Sequence, residues 1–305
     1  MTSTNNNTIL SMCANCGKGE DDTEKLKACT ACKLVKYCNR ECQIAHRPKH
    51  KKECKKRAAE IYDEKLFKQP PPLDDCQICF IRLPSLEYAQ TYQACCGKIV
   101  CYGCMYAPLY DDQGSKIAER KCPFCRIPIP KKVDEAIARY RKRMELGDAN
   151  ATYNLAYFYQ EGSHGFTQDY TKAFEYYHRA GKLGSSEAVT NITVAYYYGR
   201  GVERDIKKAR QYWEKAAVMG NVNARFSIGY EEEEARNISR AMKHYMIAAR
   251  DGSERSIQCI LDLYSKGYVT KEEYENALRA YQEYVAEIKT IQRDDAAASK
   301  NEKYY

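Results

Sequence analysis

Long apolar runs are missing from this sequence. No stretch approaches the roughly 18 consecutive apolar residues that a membrane-spanning helix needs. The start, from Met1 to Met12, is polar and rich in asparagine, and it lacks the basic start and apolar centre of a secretory signal peptide. We therefore expect an intracellular protein of the cytoplasm or nucleus that does not bind membranes.

Cysteine is nearly absent from the residues after Cys125, which contain only Cys259. The other fifteen cysteines lie between Cys13 and Cys125, mostly in pairs that are separated by two residues. Secreted domains with disulfides also concentrate cysteine, but short repeated gaps without a signal peptide favour zinc ligation over disulfides. A reducing compartment follows from this interpretation.

The basic net charge is weaker than it looks. The formal charge of +8 counts every cysteine as neutral, whereas a zinc-bound cysteine is a thiolate. Fifteen thiolates and four Zn²⁺ ions lower the net charge to about +1. Nucleic-acid binding requires a sustained basic surface, so we do not expect nucleic acid as a partner.

The chain divides into segments of different composition, with room for two or three folded domains in 305 residues. Prolines at 70–72 and 128–130 mark boundaries because proline interrupts helices. The expected segments are a disordered N-terminus at 1–12, a first cysteine group at 13–57, a helix and proline-rich linker at 58–75, a second cysteine group at 76–130, helical repeats at 131–289 and a flexible tail at 290–305.

The helical part repeats itself about four times. Gly-Asp-Ala-Asn-Ala at 147–151 returns in related form from Gly184, Gly220 and Gly252, at spacings of 37, 36 and 32 residues. Later in each unit an alanine is followed four residues on by an aromatic side chain. These pairs are Ala173 with Tyr177, Ala209 with Trp213, Ala241 with Tyr245 and Ala277 with Tyr281. Each unit is therefore predicted to be a pair of helices.

The unit that runs from Ala195 to Val202 and from Lys208 to Ala217 resembles the Sel1-like repeats, which are relatives of the tetratricopeptide family. The third unit departs from the pattern, because Glu231 to Glu234 replace its glycine loop. The resemblance implies an all-α, right-handed solenoid whose concave face binds peptides or proteins.

The first cysteine group reads Cys13-x2-Cys16-x12-Cys29-x2-Cys32-x5-Cys38-x3-Cys42-x7-His50-x3-Cys54. Its seven thiols and one imidazole suffice for two tetrahedral zinc ions. The run from Tyr37 to Gln43, with His46, His50 and Cys54 after it, resembles a MYND finger.

In the MYND family the ligand pairs interleave. The resemblance therefore implies one zinc on Cys13, Cys16, Cys38 and Cys42 and a second on Cys29, Cys32, His50 and Cys54. Cys38 and Cys42, like His50 and Cys54, are spaced to face one side of a helix. His46 lies one turn before His50 and is the alternative ligand. Four protein ligands leave no open position on a zinc, so we expect no catalysis here.

MYND domains bind other proteins, some of them through proline-rich motifs that contain Pro-Pro-Leu. Here Arg47 occupies a position where the family commonly has a tryptophan that lines the peptide groove. The linker contains Pro70-Pro71-Pro72-Leu73, which is either an internal ligand of the finger or, as we expect, a rigid spacer.

The second cysteine group reads Cys76-x2-Cys79-x15-Cys95-Cys96-x4-Cys101-x2-Cys104-x17-Cys122-x2-Cys125 and resembles a RING with cysteine at all eight positions. The five histidines lie at 46, 50, 164, 178 and 244, outside this group. The cross-braced RING pattern implies one zinc on Cys76, Cys79, Cys101 and Cys104 and another on Cys95, Cys96, Cys122 and Cys125. The alternative is that only one of Cys95 and Cys96 ligates and that Asp111 or water completes the site.

The RING resemblance implies ubiquitin ligase activity without a catalytic residue, since a RING positions a charged conjugating enzyme. The conjugating-enzyme contacts of active RINGs correspond to Ile78, Pro123 and Arg126. Alternatively, Ile78 and Pro123 only pack the fold and Arg126 is solvated. The sequence thus leaves two functions open: a RING-type ligase whose repeats and MYND finger recruit substrate, or a non-enzymatic adaptor that binds proteins through all three modules.

Overall fold

The structure is a computed structural model that describes residues 12–20, 25–70, 72, 74–85, 89–109 and 120–300. Most of the expected disordered N-terminus, the alternative ligand Asp111, and Pro71 and Leu73 of the linker lie outside these residues. The chain divides into two compact units, Met1–Lys68 and Gln69–Tyr305. The second unit therefore contains both the second cysteine group and the repeats.

The first unit combines a short hairpin with one long helix. Strands β1 (Lys27–Ala28) and β2 (Lys36–Tyr37) pair antiparallel, and helix α1 spans Arg40–Leu66. Asn39 caps this helix by accepting a hydrogen bond from the Cys42 N–H at 2.8 Å. The core beside the hairpin consists largely of cysteine, with Leu26 and Tyr37 as its other buried members. So small an apolar core needs a metal to hold it.

The second unit begins with a compact finger over residues 76–130. Strands β3 (Gln90–Gln93) and β4 (Lys98–Cys101) form an antiparallel hairpin in which Gln90 pairs with Cys101. Helix α2 (Tyr102–Tyr106) follows directly, and a short 3-10 helix covers Ala107–Leu109. Leu83, Val100 and Met105 are buried together with three cysteines.

Ten further helices follow the finger within residues 120–300, and neighbouring helices of the repeats pack against one another. They are α3 (Val133–Glu145), α4 (Ala149–Glu161), α5 (Tyr170–Lys182), α6 (Ser186–Tyr198), α7 (Ile206–Val218), α8 (Val222–Glu234), α9 (Ile238–Arg250), α10 (Glu254–Ser265), α11 (Lys271–Ile288) and α12 (Ile291–Lys300). None of the helices in the described part of the chain is long and apolar enough to cross a bilayer.

The recurring five-residue pattern is the junction between successive helix pairs. Its glycines have left-handed backbones, with φ of 79° at Gly147, 106° at Gly184 and 95° at Gly220. The next residue caps the following helix with its side chain, as Asp148 and Ser185 do for α4 and α6. The pattern therefore ends one helix and starts the next.

The predicted alanine positions are buried in all four units, whereas the predicted aromatic positions are buried in only two. The alanines at 173, 209, 241 and 277 are all buried, so helices approach closely there. Tyr177 and Tyr245 are also buried, whereas Trp213 and Tyr281 are only partly covered. The alanine positions thus define the closest packing between neighbouring helices.

In the third unit, ion pairs to one buried glutamate take the place of the glycine loop. Helix α8 extends to Glu234, and Arg236 adopts the left-handed backbone, φ 64°, that a glycine would favour. Glu232 is 4% exposed and accepts a 2.6 Å bond from Arg210. The Glu232 carboxylate also lies 3.5 Å from Arg240 Nε. The acidic run is therefore partly structural, since these arginines neutralise its buried member.

Part of the segment expected to be a flexible tail, Ile291–Lys300, forms helix α12. Ala296 is fully buried and Ala297 is 9% exposed, in a cluster with Ala89 of the finger. Small side chains let this polar helix approach the finger closely, and the sequence alone does not reveal that partner.

Side-chain contacts join the finger to both ends of the repeats. Arg82 pairs with Asp251 at 3.0 Å, and each side chain is 11% exposed. The Tyr92 hydroxyl donates to Asp148 at 2.7 Å, and the Tyr284 hydroxyl donates to Ser85 Oγ at 3.1 Å. Finger and repeats therefore form one folded unit rather than two independent domains.

We predict that Gly201→Ala destabilises the protein by about 3 kcal/mol, because a left-handed φ strains alanine and the added methyl overpacks. Gly201 has φ 71°, and a Cβ there would collide with the Tyr170 carbonyl. Gly165→Ala is the matched control, since its φ is 81° but no atom lies within 4 Å of the added Cβ. Urea unfolding measures both, and equal losses would contradict the packing argument.

Candidate metal centres

Four groups of side chains each bring four donor atoms within 4.8 Å of one another. We name them sites A to D in chain order. Site A is Cys13, Cys16, Cys38 and Cys42; site B is Cys29, Cys32, His50 and Cys54; site C is Cys76, Cys79, Cys101 and Cys104; site D is Cys95, Cys96, Cys122 and Cys125. The pairs interleave in both fingers, because the first and third pairs share one site and the second and fourth share the other.

Helix α1 connects sites A and B. Its first turn carries Cys42 to site A, and two turns later His50 and Cys54 reach site B from one helical face. In site B the Cys32 sulfur lies 3.2 Å from His50 Nε2 and the Cys29 sulfur lies 3.7 Å from that of Cys54. Because one helix carries ligands of both sites, the helical rise sets the distance in space between site A and site B.

His46 lies outside the donor groups. Its Nδ1 is 3.1 Å from the Tyr37 hydroxyl, and its ring stacks on His50 with centroids 5.7 Å apart and planes 11° apart. This stacking supports the His50 ring while His50 Nε2 faces the Cys32 sulfur. The structure therefore gives His46 a supporting position.

Four of the five C-x-x-C pairs form the same backbone turn, and the fifth, Cys101 with Cys104, lies at the start of α2. In each of the four, the N–H of the residue after the second cysteine donates to the carbonyl of the first cysteine, at 2.9 to 3.0 Å. The donors are Gly17, Lys33, Phe80 and Arg126, and their φ values are 76°, 59°, 55° and 61°. Three of the four are therefore ordinary residues in a left-handed conformation, a strain of about 1–2 kcal/mol each that persists only where the surroundings impose it.

Cys95 and Cys96 of site D lie in the same kind of turn, but a glutamine stands where the other turns have their first cysteine. The Gly97 N–H, at φ 74°, donates to the Gln93 carbonyl at 2.7 Å. Gln93 thus occupies the place of the first cysteine, and Cys95 and Cys96 follow at the third and fourth positions. Both face site D, because the Cys95 sulfur is 3.3 Å from that of Cys125 and the Cys96 sulfur is 3.9 Å from that of Cys122.

The donor geometry fits zinc. A tetrahedron with bonds of about 2.3 Å separates its sulfur atoms by about 3.8 Å. The sulfur pairs here measure 3.3 to 3.9 Å, and all four groups consist of thiols except for one imidazole. The four groups therefore fit the binding of several zinc ions, and such closed sites offer no coordination position for substrate.

Local interactions in site A lower the pKa of one cysteine and raise the pKa of another. Burial opposes ionisation of Cys13, but backbone hydrogen bonds from Cys16 and Cys38 outweigh it and lower its pKa to about 6. The hydrogen bond to Cys42, together with repulsion from Cys13, raises the pKa of Cys38 to about 12. One thiol thus ionises readily while its neighbour resists until a cation is present.

The predicted conjugating-enzyme contacts lie on and beside the turns of sites C and D. Ile78 and Pro123 are partly exposed, and Arg126 is exposed. Sequence reasoning missed two neighbours: Phe80 is 77% exposed and Phe124 is 42% exposed. The signal was present, since each phenylalanine is adjacent to or inside a C-x-x-C pair.

The linker residues that the structure describes pack on the repeats. The Gln69 amide donates to Asp251 at 3.1 Å, and Pro70 lies against the turn at Gly220. Gln69 and Pro70 are therefore held against the repeats. In the first unit Arg47 is exposed on α1, beside Ile44, which is 59% exposed.

Comparison with known families identifies two of the modules. The MYND finger family matches residues 13–54, and the Sel1 repeat family matches residues 149–185, 191–221 and 224–253. The chain contains a MYND finger and Sel1 repeats. The finger at 76–130, with its two interleaved cysteine sites, is consistent with a RING, and we call it the RING-like finger.

Relatives of known role share part of this chain. The ERAD-associated E3 ubiquitin-protein ligase component HRD3B of Arabidopsis thaliana is 33% identical over 112 residues, which are 33% of this chain and 18% of that protein. Chitin synthase regulatory factor 4 of Schizosaccharomyces pombe is 31% identical over 136 residues, 44% of this chain and 21% of that protein. The chain thus spans about a fifth of the length of the curated relatives it matches.

The solved structures that are similar to this chain include two Sel1-type or cysteine-rich bacterial proteins. A Sel1 repeat protein from Oxalobacter formigenes is 27% identical with a TM-score of 0.43, covering 56% of this chain and 66% of that one. The cysteine-rich protein B of Helicobacter pylori is 26% identical with a TM-score of 0.34, covering 42% of this chain and 93% of that one.

We predict that Cys95→Ser and Cys96→Ser each lower the zinc content from about four to about three ions per chain, because each variant leaves site D with three sulfurs. Cys259→Ser is the control. Because Cys259 lies outside the four groups, this variant should retain all the zinc. Elemental analysis of the purified protein measures the content. If either single variant kept about four ions, that cysteine would not be a ligand.

Proposed function

We propose that this chain is a RING-type ubiquitin ligase in which the Sel1 repeats, together with the MYND finger, recruit substrate proteins. Both of these modules are protein-interaction modules. The observation that carries the proposal is the exposed surface at the turns of sites C and D, where apolar side chains lie close in the chain to the exposed Arg126.

The ligand sets are part of this proposal. We assign one Zn²⁺ to each of sites A to D, so that four ions hold the two fingers in shape. When bound, these ions supply structure rather than chemistry, since each has four protein ligands. Thiolate sites persist in a reducing environment, and we therefore place the chain in the cytoplasm or nucleus.

The proposed catalysis is positioning. Ile78 and the exposed Phe80 and Phe124 offer an apolar surface for a ubiquitin-conjugating enzyme, while Arg126 adds a cation at the edge. A conjugating enzyme held in one orientation presents its ubiquitin thioester to the amine of a substrate lysine. The amine attacks the thioester carbon, the thiolate leaves, and no nucleophile of this chain takes part.

The packing of the RING-like finger on the repeats suits this role. Partly buried contacts, Arg82 with Asp251 and Tyr92 with Asp148, attach the finger to two separate repeats. A substrate on the repeats would then lie at a constrained distance from the conjugating enzyme. The name of HRD3B, a ligase component, supports a place for such repeats in ubiquitin transfer.

A non-enzymatic adaptor is the second candidate. All four candidate metal sites are closed, and the named relatives include regulators of chitin synthase as well as a ligase component. In an adaptor, the surface around Ile78 and Phe80 binds a protein without promoting ubiquitin transfer. Activity against a panel of charged conjugating enzymes separates the two functions.

For a ligase, we predict that Ile78→Ala weakens conjugating-enzyme binding by about fivefold or more, because a central apolar anchor of a small interface often contributes over about 1 kcal/mol. Ile206→Ala is the matched control, since Ile206 is 43% exposed at the start of α7, in the middle of the repeats. Titration calorimetry measures binding, and metal analysis verifies that the zinc content is unchanged. Equal affinity of wild type and Ile78→Ala would contradict this interface.

For Arg126→Ala, we predict nearly normal binding of the free conjugating enzyme and slower discharge of its ubiquitin, because the cation acts on the charged complex. Arg120→Ala is the matched control, an exposed arginine of the same finger. Single-turnover discharge assays give the rate. If the wild-type protein does not accelerate ubiquitin discharge from any conjugating enzyme in a broad panel, the ligase proposal fails and the adaptor replaces it.

A further inference from the structure

Helix α12 packs directly on α2, which carries the site C ligand Cys104 and is capped at its N-terminus by a second ligand, Cys101. Gly103 of α2 has no room for a side chain, because a Cβ there would lie 2.9 Å from the backbone of Gln292 and Arg293. Ala296 and Ala297 pack with Ala89, Tyr102 and Tyr106 on the same side of the finger. The contact is therefore close at the backbone level and needs glycine and alanine.

Arg293 is the buried centre of this contact. Only 2% of the residue is exposed, and its guanidinium donates to the carbonyls of Ile288 at 2.6 Å, Arg82 at 2.9 Å and Ile81 at 3.3 Å. Its Nη2 also lies 3.9 Å from the Cys79 sulfur. Within the part of the chain that the structure describes, no carboxylate oxygen lies within 4.0 Å of this guanidinium.

A buried cation without a counter-ion is costly, since carbonyl dipoles replace only part of its hydration. Site C supplies the missing charge when it holds zinc, because four thiolates around one Zn²⁺ carry two net negative charges. Cys79, the sulfur nearest to Arg293, is one of those ligands. The metal-free site with neutral thiols lacks this charge.

A second residue of the same helix faces a second ligand. The Gln292 Oε1 atom lies 4.0 Å from the Cys104 sulfur, and the thiol is the donor of this contact. A zinc-bound thiolate only accepts hydrogen bonds, so in the loaded site the amide would rotate to present its NH₂ to that sulfur. Two neighbouring side chains of α12 thus approach two different sulfurs of site C.

We propose that α12 is a zinc-dependent latch, in which Arg293 is the charge partner of the zinc-bound thiolates of site C. Loaded site C holds the latch closed on α2, and the closed latch slows loss of zinc. Loss of the metal removes the counter-charge of Arg293 and releases α12 from the finger. The latch thereby couples the metal content of the RING-like finger to the end of the repeat array.

The first test uses the wild-type chain and hydrogen exchange at the α12 amides, with zinc bound and after chelation. We expect chelation to raise exchange in Ile291–Lys300 at least tenfold while α6, in the middle of the repeats, changes little. Helix α12 that stays equally protected in the metal-free chain would overturn the latch. This measurement needs no variant, so a variant that misfolds does not affect it.

The second test separates charge from packing by the rate at which a chelator removes zinc. We expect the chelator to remove one zinc ion per chain from Arg293→Gln about tenfold faster, or more, than from the wild type. This ratio corresponds to the loss of one hydrogen bond to a charged group. Arg293→Lys should recover part of the loss because it keeps the charge. Arg279→Gln, an exposed arginine of α11, should release zinc at the wild-type rate.

Release from Arg293→Gln at the wild-type rate would overturn the role of Arg293. Equal acceleration in Arg293→Gln and Arg293→Lys would overturn the charge argument, since only packing would then explain the effect. Neither readout involves ubiquitin, so the latch and the ligase proposal fail independently.

Discussion

Coordination of zinc by thiolates is the interaction on which both fingers depend. Their buried cores consist largely of the ligands themselves, with Cys13, Cys29 and Cys32 in one finger and Cys76, Cys101 and Cys104 in the other. Sulfur atoms at 3.3 to 3.9 Å would repel one another as thiolates without a cation. A structural zinc contributes on the order of 10 kcal/mol in apparent terms, which is comparable with the whole stability of a small domain.

The second unit extends this dependence from the RING-like finger to the repeats. The finger is joined to the repeats by the Arg82–Asp251 pair and by the hydroxyl of Tyr92 on Asp148. These contacts involve residues that cap or follow repeat helices, so the inter-repeat turns serve as attachment points as well as helix boundaries. The proposed conjugating-enzyme surface of the finger is thereby held at a constrained distance from the repeats.

Ligand spacing made the four metal groups predictable, because C-x-x-C pairs allow few partners and interleaving follows from the family resemblance. The glycine pattern at 147–151 likewise predicted the helix pairs, since a left-handed turn followed by a capping side chain has a local cause. Helix α12 was not predictable, because its stabilisation comes from Gly103 and Ala89, which lie far earlier in the chain. The role of Gln93 was not predictable either, because its backbone carbonyl accepts the turn hydrogen bond that a cysteine carbonyl accepts in four of the C-x-x-C pairs.

The coordination shell of zinc in the intact protein tests this account most directly. Fifteen of the sixteen donors in the four groups are sulfur and one is nitrogen. Zinc-edge X-ray absorption should therefore show almost four sulfur ligands per ion at about 2.3 Å, with a minor nitrogen contribution near 2.0 Å. A shell with one oxygen or nitrogen ligand for every three sulfurs would contradict the account, since it would mean open or misassigned sites.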